Sequence, residues 1–284
     1  MKRSFLVSCL SFFTNLYPPV LDAQEQVTHA SDAVEVQSEL GVLGVIHHRI
    51  MYSRDQTHFD YVKESGQDNL DTFHRYTAEM RMNDGDRLRF VYQPLELRSR
   101  TSLKRDILVD EVPFAAGTPM QFVYSFPYYR GTWLWETMVT DRYTLHLGLA
   151  LQIRNARTEF MTLDGDTLVS NRGLGPVPLL ALALNWRLNS TFAFEFEAEG
   201  NPASSAIFHG DDQSETTGAL IDTSLKLSSQ INPRFRTFAS LRYISAGSRD
   251  RARVQDNPAS EGFSGNWMDL AAITLGLVAN LDAF

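Results

Sequence analysis

The chain predicts an all-β fold: a closed antiparallel up-and-down transmembrane β-barrel of about ten strands. Three features carry that expectation. Ten segments alternate apolar and polar side chains with a period of two, the mark of strands whose successive residues leave opposite faces. The connections between them alternate short and long, as in bacterial outer-membrane barrels. The chain also opens on an export signal.

Lys2 and Arg3 precede an apolar run from Phe5 to Phe13, and a looser stretch with Pro18 and Pro19 leads to Ala23. This order of basic region, apolar region and cleavage zone makes residues 1–23 a removable secretory signal. Leu6-Val7-Ser8-Cys9 has the form of a lipoprotein attachment box, but only five apolar or small residues precede Cys9 and the apolar run continues through it. Residues 24–33 then form a periplasmic segment, and 34–284 the barrel. Cleavage removes the only cysteine, so no disulfide framework is available and stability rests on pairing and packing. It leaves 24 basic and 33 acidic residues, a net charge of −9 that argues against nucleic acid as a partner. No later stretch approaches the roughly 18 uninterrupted apolar residues of a membrane helix, so strands must do the crossing.

The strands are expected over 34–52, 68–82, 87–104, 119–139, 143–157, 176–188, 191–200, 217–231, 234–246 and 266–281. The clearest places Tyr143, Leu145, Leu147, Leu149, Leu151 and Ile153 on one face, and Thr144, His146, Gln152 and Arg154 on the other. In the first, Val34, Val36, Leu40, Val42, Ile46 and Ile50 alternate with Glu35, Gln37, Glu39, His47 and Arg49. Pro94 and the phase around Gly131 make the third and fourth strands irregular. Asn83-Asp84-Gly85-Asp86, Thr140-Asp141-Arg142, Asn189-Ser190 and Asn232-Pro233 supply tight turns. Longer polar loops fall near 53–67, 105–118, 158–175, 201–216 and 247–265. Short turns are periplasmic in such barrels, so both termini are expected in the periplasm and the long loops outside the cell.

A soluble barrel or sandwich also alternates, with its apolar face inside. The export signal, the length of the segments and the placement of aromatics favour the membrane form. Tyr143, Trp186 and Phe192 cluster at the turn end, and Tyr52, Tyr243 and Trp267 near the loop end, where bilayer interfaces are expected. At the C-terminus, Ile273, Leu275, Leu277, Ala279 and Leu281 form a final outward stripe, while Phe284 falls on the opposite parity.

Phe114-Ala115-Ala116-Gly117-Thr118-Pro119, followed by Tyr124-Ser125-Phe126 and Tyr129-Arg130, resembles a recurrent segment of small bacterial outer-membrane β-barrel proteins of uncharacterised activity. Gly175-Pro176-Val177-Pro178-Leu179-Leu180 is similar to them as well. The resemblance extends loosely from about residue 40 to the end. It implies a bacterial outer-membrane barrel and supplies no substrate or functional residue.

In that fold the polar face lines the lumen. The residues expected there are His47, Arg49, Asp71, Arg75, Glu79, Arg81, Arg89, Arg154, Arg187, Glu195, Glu197, Glu199, Asp222, Lys226, Arg236 and Arg242. Isolated buried charges are expensive, so these should pair into a rigidifying network. The rival is a narrow path for ions or small solutes, with Glu195, Glu197 and Glu199 as a carboxylate ladder on alternate residues. The leading expectation is therefore a structural or narrow small-solute channel protein with a charged lumen. A lipid-modifying, esterase-like enzyme is the alternative, using His48 and His74 as polar exceptions on outward faces, with Ser102 near them. Recognition or adhesion through the five long loops is a further one.

Asp164-Gly165-Asp166 and Gly210-Asp211-Asp212 lack the spacing of a calcium loop, and the basic Ser248–Arg253 segment reads as solvated. No metal and no cofactor is expected. The expected partners are outer-membrane lipid and lipopolysaccharide, and the barrel-insertion machinery during biogenesis.

Overall fold

The computed structural model describes residues 33–52, 57–204, 214–252 and 262–283. The export signal, the periplasmic segment as far as residue 32, the Gly210-Asp211-Asp212 loop and Phe284 lie outside these residues. The chain begins with β1 (Ala33–Tyr52), a short β2 (Thr57–Asp60) and the single turn α1 (Tyr61–Glu64). Next come β3 (Leu70–Arg81), β4 (Arg87–Gln93), β5 (Glu96–Ser102), β6 (Ile107–Val109), β7 (Val112–Phe114) and β8 (Pro119–Ser125). Then follow β9 (Tyr128–Val139), β10 (Tyr143–Thr162), β11 (Leu168–Arg187) and β12 (Phe192–Ser204). The last three are β13 (Ser214–Gln230), β14 (Phe235–Ala252) and β15 (Gly262–Asn280).

Antiparallel pairing runs β1–β3–β4–β9–β10–β11–β12–β13–β14–β15 and returns to β1, closing a barrel of ten staves. The closing seam pairs from Glu35↔Asn280 to Tyr52↔Ser264, with one register shift between Val45 and His47. Period-two alternation explains the wall. On β10, Leu147, Leu149 and Leu151 face out while His146, Ala150 and Gln152 are buried inside. Leu40, Val42, Ile221, Leu225, Leu227, Ile273, Leu275 and Leu277 extend that exposed apolar surface around the ring. Tyr143 and Trp186 pair side by side at the turn end, where Phe192 is also exposed. Tyr243 and Trp267 are exposed toward the loop end.

Two staves are not continuous. Pro94 separates β4 from β5, and Pro127 separates β8 from β9. Proline lacks a ladder donor, so each predicted long strand (87–104 and 119–139) breaks there, although the inward parity carries through both breaks. The ladder between β3 and β4 stops at Tyr76↔Tyr92. Among the described residues β5 pairs with β8 alone, and β8 also with the loop-side end of β10. Glu96, Arg98 and Arg100 cover this edge with charge, which discourages pairing with another chain. Directly below it, Tyr76, Tyr92 and Tyr129 form an outward row of stacked rings, with centroid spacings of 6.3 and 4.9 Å.

The interior is layered, which corrects the expectation of a polar lumen throughout. The network of ion pairs fills its turn-side half. Toward the loops, Leu43, Val45, Phe73, Val91, Leu97, Phe126 and Leu270 pack into an apolar layer. Beyond it Phe59, Tyr61, Phe122 and Phe160 form an aromatic cluster with edge and stacked contacts of 5.1 to 6.2 Å. The β6–β7 hairpin buries Ile107, Val109 and Phe114 against that cluster. Its two-residue turn, Asp110-Glu111, has positive φ at both positions, as a right-twisted hairpin requires.

One extra residue in β1 changes which side chains face inward. Val45 pairs with Leu270 but His47 pairs with Asp269, so Ile46 is bulged. Ile46 and His47 both face out, and His48, Arg49 and Ile50 after them are inverted relative to strict alternation.

Near the turn end of the closing strands, the Phe238 ring lies over Gly276, in the space a β-carbon there would occupy. An aromatic laid across a glycine fixes register and fills the missing side chain. Gly276→Val is expected to displace the ring and lower stability by about 1–3 kcal/mol. The measurement is the temperature at which the compact band on an SDS gel converts to the unfolded one.

Candidate functional site

The densest chemistry lies inside the turn-side half and centres on Asp222 of β13. Its Oδ1 accepts from Arg242 Nη1 at 2.6 Å. Its Oδ2 accepts from Arg130 Nη1 at 2.9 Å, and from Arg75 Nη1 and the Tyr128 hydroxyl at 3.4 Å each. Arg75 sits on β3 and Arg130 on β9, each several staves away around the ring, so these contacts cross the lumen. Arg130 also meets Glu199 and donates through Nε and Nη2 to Gln152 Oε1 at 3.0 and 2.6 Å. Arg75 further donates to Gln93 at 2.8 Å, and lies 3.9 Å from Glu39, which is 3.6 Å from Arg242.

A second tier lies nearer the turns. Glu197 faces Arg89 at 3.0 Å and Lys226 at 3.1 Å. Glu79 is held by Arg89 at 2.7 Å, Arg87 at 3.3 Å and Arg81 at 3.9 Å. Glu35 meets Arg81 at 2.8 Å and Arg236 at 3.2 Å, and Glu195 stands 3.9 Å from Arg236. The cavity left in this tier is about 40 Å³, room for a few waters. Cations and anions in the two tiers nearly balance, because a surplus ion in so little water costs several kcal/mol.

Arg75, Glu79, Arg81, Arg89, Glu195, Glu197, Glu199, Asp222, Lys226, Arg236 and Arg242 thus meet in one network. Five of the expected lumen residues lie elsewhere. The bulge turns His47 outward to Asp269 at 3.0 Å, and Arg49 outward to Asp60 at 3.4 Å, both more than half exposed. Asp71 stands at the loop end of β3 and accepts from the backbone and hydroxyl of Thr72. Arg154 lies in the loop-side interior, donating to the Ser248 hydroxyl at 3.2 Å. Arg187, the last residue of β11, is exposed at the turn end.

The two histidines expected on outward faces lie on opposite faces of the wall. His48 is turned inward by the same bulge and is fully buried. Its ring stacks on Tyr61 at 4.2 Å, meets Tyr124 edge-on at 4.3 Å, and faces Gln67 Oε1 through Nδ1 at 3.0 Å. His74 keeps its outward face, opposite Leu40, and Ser102 is exposed at the end of β5. They do not converge on a nucleophile–base pair. Asp164 and Asp166 close a turn, Asp166 N donating to Asp164 Oδ1 at 3.1 Å. No group of three or more metal-type ligands is found among the described residues.

Reasoning from sequence missed Arg130, Glu39, Glu35, Arg87, Tyr128 and Gln152 as members of the network. Glu35, Glu39 and Gln152 stand on faces where alternation could have placed them. Arg130 was harder to place, because its strand shows no contrast between faces: the inward Tyr128 and Leu134 are as apolar as the outward Tyr129, Trp133 and Trp135.

No family model matches the chain, and no curated protein matches it in sequence. Among solved structures it is similar to the outer membrane protease OmpT from Escherichia coli, with a TM-score of 0.51 at 10% identity over 91% of this chain and 100% of that one. It also matches the toluene transporter TodX of P. putida, with a TM-score of 0.34 at 8% identity over 89% of this chain and 91% of that one. The chain has an outer-membrane β-barrel fold. At such identity the likeness to OmpT is one of fold.

Asp222 neutralises guanidinium groups from three staves. Asp222→Asn keeps the shape but leaves a buried positive surplus, and is expected to cost about 3–5 kcal/mol. A urea titration followed by tryptophan fluorescence measures it.

Proposed function

We propose that this chain is a closed structural barrel of the bacterial outer membrane, with a lumen that does not conduct at rest. Its termini face the periplasm and its long loops the exterior. The observation that carries the reading is the blocked interior. Charged side chains from facing staves meet at Asp222, and an apolar layer and an aromatic cluster lie between them and the loops. An ion would have to break several buried pairs and then cross apolar packing.

The placement in a bilayer draws support from the outer surface. The exposed apolar surface lies between aromatic residues at its two ends. The stacked Tyr76, Tyr92 and Tyr129 stand where the outward face of the neighbouring stave turns from apolar Phe90 to charged Glu96 and Arg98. Rings of this kind favour the headgroup level.

In planar bilayers, incorporated protein is expected to give no steady ohmic steps. Regular conductance steps from the wild-type chain at moderate voltage would sink the closed-barrel reading in favour of a channel.

A further inference from the structure

We infer that the outer face of β14, β15 and β1 carries a binding site for the phosphate-bearing headgroup of an outer-leaflet lipid, built from His47, Arg49 and Trp267 and braced by Asp269. The inference rests on the outer-membrane orientation proposed above.

Three neighbouring strands change character along one row. Ser245, Asp269 and His47 are direct cross-strand partners. On the turn side of that row the outward residues are Leu241, Ile273 and Val42. At the row they become polar, which is the level of lipid headgroups.

Asp269 accepts from Ser245 Oγ at 2.6 Å, His47 Nδ1 at 3.0 Å, Trp267 Nε1 at 3.2 Å and the Tyr243 hydroxyl at 3.3 Å. Three of these donors converge on Oδ1 and His47 holds Oδ2, so the carboxylate is engaged by the side chains around it. It acts as a positioning residue. Ser245 and His47 lie on opposite sides of it, which excludes a serine nucleophile with His47 as its base. With Nδ1 engaged, the free edge of His47 is Nε2, which in the imidazolium form is a donor.

Arg49 stands two residues along the same outward face, about 7 Å further on. Its Nε leans on Asp60 at 3.4 Å, and its terminal nitrogens make no protein hydrogen bond among the described residues. A guanidinium on the same face as an imidazole ring, each with a free nitrogen edge, matches a phosphate. A cleft of about 460 Å³ opens beside Arg49 and Trp267, lined also by Met51, His58 and Gly247. The Trp267 indole lies over Gly247, where a β-carbon would collide with it. The volume is in the range of small-ligand sites. The bulge at Ile46 is the device that brings His47 and Arg49 to this face.

The test uses the full chain, folded in nonionic detergent, with native mass spectrometry reading bound lipid. Bis-phosphorylated lipid A, the same lipid stripped of phosphate, and inorganic phosphate are the probes. Wild type is expected to retain phosphorylated lipid A about tenfold more tightly than the stripped form, with a similar loss in His47→Ala/Arg49→Ala. Asp269→Asn should fall between wild type and the double variant, while heat-modifiable gel migration stays that of a folded barrel. Equal binding of both lipids, or undiminished binding by a folded double variant, overturns the site. Full displacement by inorganic phosphate overturns the assignment to a lipid. A wild-type chain that gives no heat-modifiable band overturns the barrel reading itself.

Discussion

Charge brought out of water must find charge, and this requirement organises the inside of the molecule. Asp222 is almost wholly withdrawn from solvent, and three arginines from separate staves converge on it. The neighbouring carboxylates and guanidiniums follow from that centre, each answering a surplus left by the last. Apolar side chains alone would fill a barrel without choosing one arrangement of its staves. A web of directional ion pairs accepts far fewer arrangements, and Tyr128, Gln93 and Gln152 fill hydrogen-bonding positions the ions leave open. Where the web ends, the loop-side interior becomes apolar, and Phe59, Tyr61 and the β6–β7 hairpin pack over it.

Much of this was legible in the sequence. Alternation located the staves, and the rhythm of turns and loops ordered them, because a period of two is a direct imprint of backbone geometry. Alternation also selected most of the ion network, since Glu195, Glu197, Glu199, Asp222, Lys226 and Arg242 lie on strands without interruption. It failed wherever a strand gained or lost a residue. The bulge at Ile46 exchanged the faces of His47 and His48. Arg130 was hidden for another reason, since both faces of its strand carry large apolar side chains and alternation has no contrast there. A bulge has no residue signature of its own. It is decided by whichever face packs better, and His48 packs well between two tyrosines.

The two proline breaks have a shared logic. They part the wall on the loop side, so that β5 and β8 extend beyond the ladder joining β3 to β4. Unpaired backbone is costly in hydrocarbon and harmless in water. The break therefore suits a level above the tyrosine row. There the chain between α1 and β3 runs beside the free edge, with Ser65 and Ser99 joined through their hydroxyls at 2.9 Å.

The converging arginines also carry information about size. Arg75, Arg130 and Arg242 reach one carboxylate from β3, β9 and β14, a meeting possible only at one circumference. Barrel diameter grows with each stave added. A ring with an extra hairpin would carry Arg75 and Arg130 out of reach, and a smaller one would crowd like charges together. The interior salt web is thus a gauge: it measures the ring at the moment the first and last strands meet, and rewards only the correct count.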